Sequence, residues 1–366
     1  MDALRGIAMW LGVVLHSIMA YQIAPRATWP HDESVYRFFD VLYDFLHAFR
    51  MPLFFVIAGF FANFLSKKIG TTPFALHRVK RIVYPFLLSI ALIVPLSALP
   101  FAYNRALLSG LQITNPLSFV VTSISNWTGL YHLWFLYYLI LLYAITIALQ
   151  WIVPKRYELK VKGNDAVFLL STVVLVVVQH TYFDGMIEAW TGLMPKLGQL
   201  LYFGYFYYLG YVVFNDHSFL MTNIGMKVVY FLLGATLVLV TSLELFELSD
   251  WGTSLVISLR TNLLILGSIG VFNSLFAKES VVLRYFSDSS YWFYLIHLPI
   301  VCGLQLYMLD WDISGLVKAF IVIVSVTAIS TLSYEYLVRY TWIGVLLNGR
   351  KKRQDKLLVS VVSSNE

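Results

Sequence analysis

Charge is scarce in this sequence. Only 13% of its 366 residues are Asp, Glu, Lys or Arg, whereas soluble domains carry about 25% charged residues. The residue set AVILMFWYC makes up 59% of the chain, and aromatic residues make up 17%. A soluble protein with so few charges could not cover its surface with polar groups, and disordered chains lack apolar and aromatic residues. The composition excludes both classes and indicates a protein that lies mostly in lipid, where Trp and Tyr collect at the interfaces.

Cysteine is almost absent as well. Cys302 is the one cysteine and falls in an apolar run, so an intramolecular disulfide is excluded and a metal cluster is not expected. The net charge of +6 does not indicate nucleic-acid binding, because the sequence contains no basic groove or nucleic-acid-binding motif. We therefore expect neither a metal nor a nucleic acid among the ligands.

Long apolar runs, by contrast, are abundant. A transmembrane helix needs about 20 mostly apolar residues, and ten runs approach that length. They cover approximately residues 3–23, 38–65, 84–103, 131–151, 166–179, 197–214, 226–243, 254–276, 289–309 and 314–342. The sequence therefore predicts an all-α integral membrane protein with about ten transmembrane helices. Pro52, Pro95 and Pro299 fall inside spans, where we expect them to kink helices without ending them.

Basic residues are distributed unequally between alternate loops. Seventeen of the 26 Lys and Arg residues lie in the loops after even-numbered spans and in the C-terminal tail, whereas five lie in the opposite loops. Basic loops stay in the cytoplasm, so both termini are predicted to be cytoplasmic, as an even number of spans requires. We divide the chain into a membrane domain, residues 1–342, and a basic cytoplasmic tail, residues 343–366, which contacts membrane lipid.

Ionisable residues at membrane depth are costly, so each is a candidate for function. Arg5 and His16 lie eleven residues apart on span one, and this separation is about three helical turns, which places both side chains on one face about 16 Å apart. A neutral imidazole is the natural proton acceptor for general-base catalysis. The alternative is structural: Arg5 extends to the interface and His16 makes an interhelical hydrogen bond.

A second group of ionisable residues follows on span two. Asp40, Asp44, His47 and Arg50 are separated by 4, 3 and 3 residues, so they form one stripe along the helix. A carboxylate one turn from a histidine can orient the ring and stabilise its charged form. Taken alone, the stripe favours a self-neutralising structural network, because the two acids offset the arginine.

A third group, Arg78, Lys80 and Arg81, lies just before span three. Arg78 and Arg81 are three residues apart, so their guanidinium groups share one face of a helix start. Guanidinium groups bind phosphates in a bidentate manner, which suits a nucleotide-like ligand. Anchoring of the span on its cytoplasmic side explains the same residues equally well.

The remaining candidates lie on spans four, nine and ten. His132 and Trp134 open span four at its outer end, where an aromatic ring can stack on a sugar or belong to an ordinary interfacial belt. His297 lies near the middle of span nine. Glu335 precedes Arg339 by four residues, which is the spacing of a helical ion pair.

The depths of these residues suggest a path across the membrane. Basic groups lie inside, His16, His47, His297 and Arg50 lie near the middle, and aromatic residues with His132 lie outside. An anionic, phosphorylated donor could dock from the cytoplasm while an acceptor approaches from outside. A proton-coupled transporter of polar solutes would use the same histidines as a relay, but the internal repeats and paired broken helices of transporters are not evident. A non-catalytic membrane subunit, in which these residues only pack, is a third interpretation.

Several segments resemble the membrane-bound acyltransferase family 3, in particular its glucan biosynthesis protein C branch. The matching segments are DALRG at residues 2–6 with the Arg-x10-His spacing, DFLHAFRMPLFFVIAGFF at 44–61, Arg78-x-x-Arg81 followed by Ile82 and Pro85, HLWFL from His132, SYWFYLIHLP at 290–299, and the stretch from Tyr334 to Arg339. Many members that O-acetylate sugars carry Trp-Ser-Leu-x-x-Glu on span four. Here Trp134 is followed by Phe135, and Leu139 takes the place of the acid, which favours the glucan branch.

The resemblance implies a ten-span enzyme of the bacterial inner membrane. Such enzymes move an acyl group from cytoplasmic acyl-CoA, here succinyl-CoA or acetyl-CoA, to hydroxyls of a periplasmic glucan, without a metal. His16 is then the catalytic histidine with Arg5 as its motif partner, and Arg78 and Arg81 contact the donor. The other expected site residues are His47 and Arg50 near the reacting centre and, as substrate contacts, His132, Trp134, His297 and Glu335. Glucan-synthesis proteins are candidate partners, and O-acetylation of another envelope glycan is the alternative activity.

Overall fold

The structure is a computed structural model that describes residues 2–24, 26, 28–126, 129–152, 165–185, 187–213, 224–275 and 280–349. Residues 350–366, most of the predicted basic tail, lie outside the described residues. Within the described residues the chain forms fourteen α-helices. They are α1 (Asp2–Ile18), α2 (Arg37–Ile69), α3 (Thr71–Arg78), α4 (Tyr84–Leu108), α5 (Pro116–Ser125), α6 (Trp134–Ile152), α7 (Asp165–Leu170), α8 (Thr172–Tyr182), α9 (Leu197–Val213), α10 (Ile224–Ser242), α11 (Asp250–Leu275), α12 (Val281–Tyr307), α13 (Gly315–Ser333) and α14 (Trp342–Asn348).

Seven helical stretches among the described residues are long and apolar enough to cross a membrane, so the chain is a multi-pass membrane protein. They are Leu4–Tyr21, Arg37–Ile69, Thr71–Leu108, Tyr131–Ile152, Ile224–Ser242, Asp250–Phe272 and Gly315–Val338. The other three predicted spans fall on α7 with α8, on α9 and on α12. The predicted span ends Phe214 and Phe276 lie outside the described residues. The count of ten and the sidedness of the termini therefore stay predictions.

The prolines inside the spans do not end their helices. α2 continues through Pro52, α4 through Pro95 and Pro100, and α12 through Pro299, as the sequence predicts for helices in lipid. Two five-residue π-helical segments interrupt the regular geometry instead. One joins α3 to α4 at Val79–Val83, and the other follows α13 at Tyr334–Val338. π-helical turns often occur at functional sites, and the first of these segments carries Arg81.

α2 is the central helix, and its closest neighbour is α9. A side-chain carbon placed on Gly59 of α2 would overlap the carbonyl of Tyr207, and one on Gly210 of α9 would overlap the carbonyl of Val56. Small residues let membrane helices approach backbone to backbone. α1 packs along α12, and α6 completes the group of helices that surround the middle of α2.

The segment after α1 folds back against the helix ends. The backbone N–H of Asp32 donates to the carbonyl of Ala20, and that of Tyr36 donates to the carbonyl of Tyr21, each at 2.9 Å. The ammonium group of Lys318 on α13 donates to a carboxylate oxygen of Asp32 at 2.7 Å. We call residues 28–36 the strap, because they cover the end of α1 on the predicted extracytoplasmic side.

Candidate active site

Three histidines from distant parts of the chain meet inside the helix bundle. His16 lies near the end of α1, His132 lies in the 3-10 turn before α6, and His297 lies in the middle of α12. The ring centroids of His16 and His297 are 5.2 Å apart, and those of His132 and His297 are 5.1 Å apart. Together with Arg50 of α2 they line a cavity of about 20 Å³, which we call the histidine cavity. It holds about one water-sized group.

Backbone carbonyls of α12 fix two of the imidazole rings. Nε2 of His132 lies 3.0 Å from the carbonyl oxygen of Leu295, and Nδ1 of His297 lies 2.8 Å from that of Tyr294. A carbonyl only accepts, so these ring nitrogens donate. Among the described residues, Nδ1 of His132 and Nε2 of His297 are buried without a hydrogen-bond partner. In a neutral imidazole of this orientation, the opposite nitrogen carries the lone pair that can accept a proton.

Arg50 brings a buried positive charge to the histidine cavity. Its side chain is 8% exposed and lies directly over Gly12 of α1, where a side-chain carbon would collide with Nη1. No Asp or Glu is among the described residues that line this cavity. A buried guanidinium with no acid in the cavity wall can stabilise negative charge that develops on a reacting oxygen.

A larger cavity of about 490 Å³ lies towards the predicted cytoplasmic side. We call it the basic cavity, because Arg5, His77, Arg78 and Arg81 lie in its wall together with Asp288. The guanidinium carbon of Arg78 lies 4.9 Å from the ring centroid of Tyr143. Cation–π contact of this kind holds the charge at the cavity surface. The predicted pairing of Arg78 with Arg81 on one cavity wall is thus present, and their contact with a donor stays a prediction.

Arg81 has a structural contact as well. Its Nη1 donates to the carbonyl oxygens of Val345 and Leu346, the latter at 3.1 Å. These carbonyls lie in the last turn of α14, where that of Val345 also accepts from the backbone N–H of Gly349 at 3.1 Å. Arg81 therefore stabilises the end of the last helix while it lines the basic cavity.

Arg5 and His16 line two different cavities. Nη2 of Arg5 donates to Oγ of Ser287 on α12 at 2.8 Å, and Arg5 lines the basic cavity. His16 lines the histidine cavity, and Met9, which lies between them on α1, lines both. The predicted common face of Arg5 and His16 therefore spans two neighbouring cavities.

Three apolar side chains separate those cavities. Met9, Phe54 and Phe135 line the basic cavity and the histidine cavity alike, and we call them the septum. The septum closes the histidine cavity towards the basic cavity with apolar atoms from α1, α2 and α6. A group that moves from one cavity to the other must pass between these side chains.

His47 lies in a third cavity, not with the three histidines. This outer cavity, of about 30 Å³, is also lined by Trp134, Tyr202 and Arg260. His47 stacks on Tyr43 with ring centroids 5.2 Å apart. Trp134 lines both the outer and the histidine cavity, so its predicted place beside the substrate path is consistent with the geometry.

The three cavities follow one another along α2. His47 lines the outer cavity, Arg50 the histidine cavity, Phe54 the septum, and Leu65 the basic cavity. The eighteen steps from His47 to Leu65 rise about 27 Å. The cavities are therefore ordered along α2, and their position in the thickness of the membrane stays a prediction.

Glu335 lies outside all three cavities. Its carboxylate accepts from Nη1 of Arg339 at 2.8 and 3.1 Å, so the predicted i,i+4 ion pair is present. The guanidinium carbon of Arg339 lies 5.1 Å from the ring centroid of Tyr285. The expected contact of Glu335 with substrate stays a prediction, and the geometry gives this residue a structural partner.

Sequence reasoning missed two residues of the site. Trp29 stacks on His16, with ring centroids 5.4 Å apart and ring planes 17° apart. Arg260 is 3% exposed and lines the outer cavity. Arg260 carried a signal, because it is an arginine inside an apolar run. The sequence gives no sign that Trp29 belongs to the site, because Trp29 lies in a loop and tryptophans are common at membrane interfaces.

Comparisons with known proteins bear on this arrangement. A family model described as an acyltransferase domain, that of acyltransferase family 3, matches residues 1–335. Glucans biosynthesis protein C of Salmonella gallinarum is 24% identical over 379 residues, which cover 96% of this chain and 94% of that protein. The protein of the same name from Salmonella typhimurium is 24% identical over 390 residues, 98% of this chain and 97% of that one. No solved structure matches the chain.

The family match covers almost all of the membrane region. It contains the three histidines, Arg50 and the basic cavity's Arg5, Arg78 and Arg81. The resemblance seen in the sequence segments is therefore confirmed at the level of the family. This multi-pass membrane protein belongs to acyltransferase family 3.

Proposed function

We propose that this protein is a transmembrane O-acyltransferase that moves an acyl group from cytoplasmic acyl-CoA to a hydroxyl of a periplasmic glucan. The main support for this proposal is the position of the histidine cavity, which adjoins the basic cavity across the septum. A donor that binds on one side of the membrane and an acceptor from the other side can meet at such a place. Family membership favours this enzyme over a proton-coupled transporter that uses the same histidines.

The basic cavity is the proposed donor site. Acyl-CoA carries several phosphates, and Arg78 and Arg81 offer guanidinium groups that bind phosphate in a bidentate manner. Apolar residues such as Phe61 and Ile57, which follow Phe54 of the septum along α2, also line the cavity. This polarity suits a ligand with a charged end at the membrane surface and a thioester arm directed inwards.

His16 is the proposed general base. The sugar hydroxyl oxygen attacks the thioester carbonyl carbon while His16 accepts the hydroxyl proton. The tetrahedral intermediate then collapses, the carbon–sulfur bond breaks, and the proton passes from the imidazolium to the leaving thiolate of coenzyme A. The products are an O-acyl ester and free coenzyme A, so the enzyme returns to its starting protonation state.

Arg50 is the proposed stabiliser of the oxyanion. Negative charge develops on the thioester carbonyl oxygen during attack, and a fixed buried cation stabilises it more than mobile water does. The wall of the histidine cavity offers no competing Asp or Glu among its described residues. His132 and His297, oriented by carbonyls of α12, are the other polar side chains beside the proposed reacting atoms.

Direct transfer accounts for the reaction without a covalent enzyme intermediate. Cys302 is buried among apolar residues of α12 and the α1 end, away from the residues that line the histidine cavity. A thiol acts as a nucleophile when a nearby cation or base favours its thiolate. The apolar surroundings of Cys302 give it no such activation.

The proposed acyl group is succinyl and the proposed acceptor is a glucan. The name of the relatives, glucans biosynthesis protein C, which align over nearly the whole chain, supports the glucan acceptor. The succinyl group rests on the resemblance of the sequence segments to the glucan branch of the family. The Leu139 side chain adds to it, because it lines the basic cavity at the position where O-acetylating members of the family carry an acid. Acetylation of another envelope glycan is the alternative.

Mass spectrometry of envelope polysaccharide tests the proposal. Cells with the protein should show an acyl mass increment on the glucan, and the size of the increment distinguishes succinyl from acetyl.

His16→Ala should lower acylation at least about 100-fold while the protein stays in the membrane. His31→Ala is the matched control, because His31 is an exposed histidine of the strap and its loss should leave acylation unchanged. Full activity of the His16→Ala variant would contradict the proposal.

A further inference from the structure

We propose that Trp29 and Gln305 are positioning residues that hold the imidazole of His16 for catalysis. This inference rests on the proposed role of His16 as general base. It assigns a function to the strap, which neither the family match nor the sequence segments indicate. Its basis is a closed set of contacts that joins the strap, α12 and the end of α1 around one ring.

The ring of His16 lacks a strong hydrogen-bonding partner. Among the described residues, the partner of its Nδ1 is the thioether sulfur of Met19 at 3.4 Å, and a thioether is a weak acceptor. Histidines that act as bases are generally oriented by a carboxylate or a carbonyl, as His132 and His297 are here. Contacts other than a strong hydrogen bond must therefore hold the imidazole ring of His16 in its orientation.

Stacking supplies that restraint. The indole of Trp29 lies nearly parallel to the imidazole, 5.4 Å away and inclined by 17°. The ring of His297 also lies 5.2 Å from that of His16, inclined by 35°. A planar ring in contact with two others cannot rotate about χ2 without losing those contacts. The edge of the imidazole stays directed into the histidine cavity, where the acceptor hydroxyl is proposed to react.

Gln305 ties the stack to the backbone of α1. Nε1 of Trp29 donates to Oε1 of Gln305 at 2.9 Å. Nε2 of the same amide donates to the carbonyl oxygens of His16 and Ser17, each at 3.0 Å. Gln305 is 1% exposed. One buried amide thus fixes both the stacking ring and the backbone that carries the imidazole, so their separation is set by a single side chain.

The strap is itself anchored from several sides. Lys318 and Asp32 form an ion pair of 2.7 Å whose side chains are 2% and 3% exposed. Nδ2 of Asn104 donates to the carbonyl oxygen of Thr28 at 3.2 Å, and Phe101 packs edge-on against Trp29. Buried anchors on both sides of Trp29 hold the indole in place, as positioning requires.

Kinetics of Trp29 variants test the proposal in the full-length protein. Trp29→Leu keeps an apolar side chain and removes the stacking face, so kcat should fall about 10- to 100-fold. The KM values for acyl-CoA and for glucan should stay within about twofold, because neither substrate site is changed. Trp29→Phe restores an aromatic face but lacks the hydrogen bond to Gln305, so its kcat should lie several-fold below that of the wild type and above that of Trp29→Leu. Trp10→Phe is the matched control, since Trp10 lies on α1 itself and its Nε1 donates to Oγ1 of Thr327 at 3.1 Å, but it lines none of the three cavities.

Each possible result for the Trp29 variants either supports or overturns the inference. Wild-type kcat in Trp29→Leu would overturn the inference. A raised KM for glucan with unchanged kcat would also overturn it, since Trp29 would then bind the acceptor. If Trp29→Leu does not fold, the comparison of Trp29→Phe with Trp10→Phe decides. We expect a several-fold lower kcat in Trp29→Phe, because the bond to Gln305 is lost, and equal values would overturn the inference. An active His16→Ala variant would instead refute the proposed function, so the two failures are distinguishable.

Discussion

The guanidinium group of Arg50 lies against Gly12, one helical turn before His16 on α1, in space that any larger residue at position 12 would fill. Gly12→Ala should therefore displace Arg50 from the histidine cavity. Displacing a catalytic group by about 1 Å can cost about 100-fold in rate, so we expect kcat to fall 10- to 100-fold. Assays of acyl transfer by the purified protein in detergent or nanodiscs would measure this.

Gly303→Ala is the control for that experiment. It makes the same substitution in α12, where a side-chain carbon meets no heavy atom within 4 Å. Alanine favours a helix over glycine, so this variant should keep full activity and at least wild-type thermal stability. Equal activities for Gly12→Ala and Gly303→Ala would show that Arg50 does not contribute at its present position.

The basic cavity predicts a selective loss of donor affinity. Arg78→Ala should raise KM for acyl-CoA about tenfold or more, because a charge-assisted hydrogen bond to phosphate contributes about 1.5–3 kcal/mol. KM for the glucan should not change. Lys80→Ala is the control, since Lys80 is exposed in the same segment and does not line the cavity. Equal changes for donor and acceptor would indicate a folding defect.

Arg81 should behave differently from Arg78. Arg81→Ala removes a donor to the carbonyls of Val345 and Leu346, so α14 loses a stabilising contact at its end. We expect a lower melting temperature together with a raised KM for acyl-CoA, whereas Arg78→Ala should change KM alone. Thermal unfolding in detergent, followed by circular dichroism, separates the two. An unchanged melting temperature in Arg81→Ala would contradict the structural role.

The septum predicts control over the size of the acyl group. Phe135→Ala removes a ring between the basic and histidine cavities, so longer acyl groups should pass more easily. The kcat/KM ratio of a longer to a shorter dicarboxylic acyl-CoA should rise severalfold. Phe61→Ala is the control, because Phe61 lines the basic cavity without reaching the histidine cavity. It should leave that ratio unchanged, and a ratio unaffected by Phe135→Ala would show that the acyl group takes another route.

The buried ion pair of the strap predicts a large stability effect. Asp32→Asn leaves the ammonium group of Lys318 buried without its counter-ion, and breaking such a pair costs about 3–5 kcal/mol. Glu188→Gln breaks the pair with Arg26, in which Glu188 is 72% exposed, and should cost about 1 kcal/mol or less. Thermal unfolding of both variants measures the difference. Similar melting temperatures would contradict it.

Some of the site could be predicted from sequence because its signals are local. His16, His132, His297 and Arg50 are ionisable residues in apolar runs, and the cost of placing them in lipid marks each of them. The helices that carry them follow from apolar length, and the continuation through Pro52 and Pro299 follows from helix geometry in lipid.

Other parts of the site depend on which helices meet. His47 has the same local signal as Arg50 and lies one turn before it on the same stripe of α2, yet the two line different cavities. Arg5 and His16 share a helix face, but the septum divides them. Glu335 has a nearby arginine and pairs with it. None of these outcomes can be read from spacing on one helix.

By itself, the sequence determined that the chain is helical, lies in a membrane and belongs with acyltransferases, because apolar length, charge scarcity and short motifs are properties of single segments. Only the tertiary structure decided that three histidines converge, that Met9, Phe54 and Phe135 separate two cavities, and that Trp29 covers His16. The physical reason is that ring stacking and cavity walls act over about 4–7 Å between helices. Such distances are set by the packing of residues that are hundreds of positions apart, such as Trp29 and Gln305.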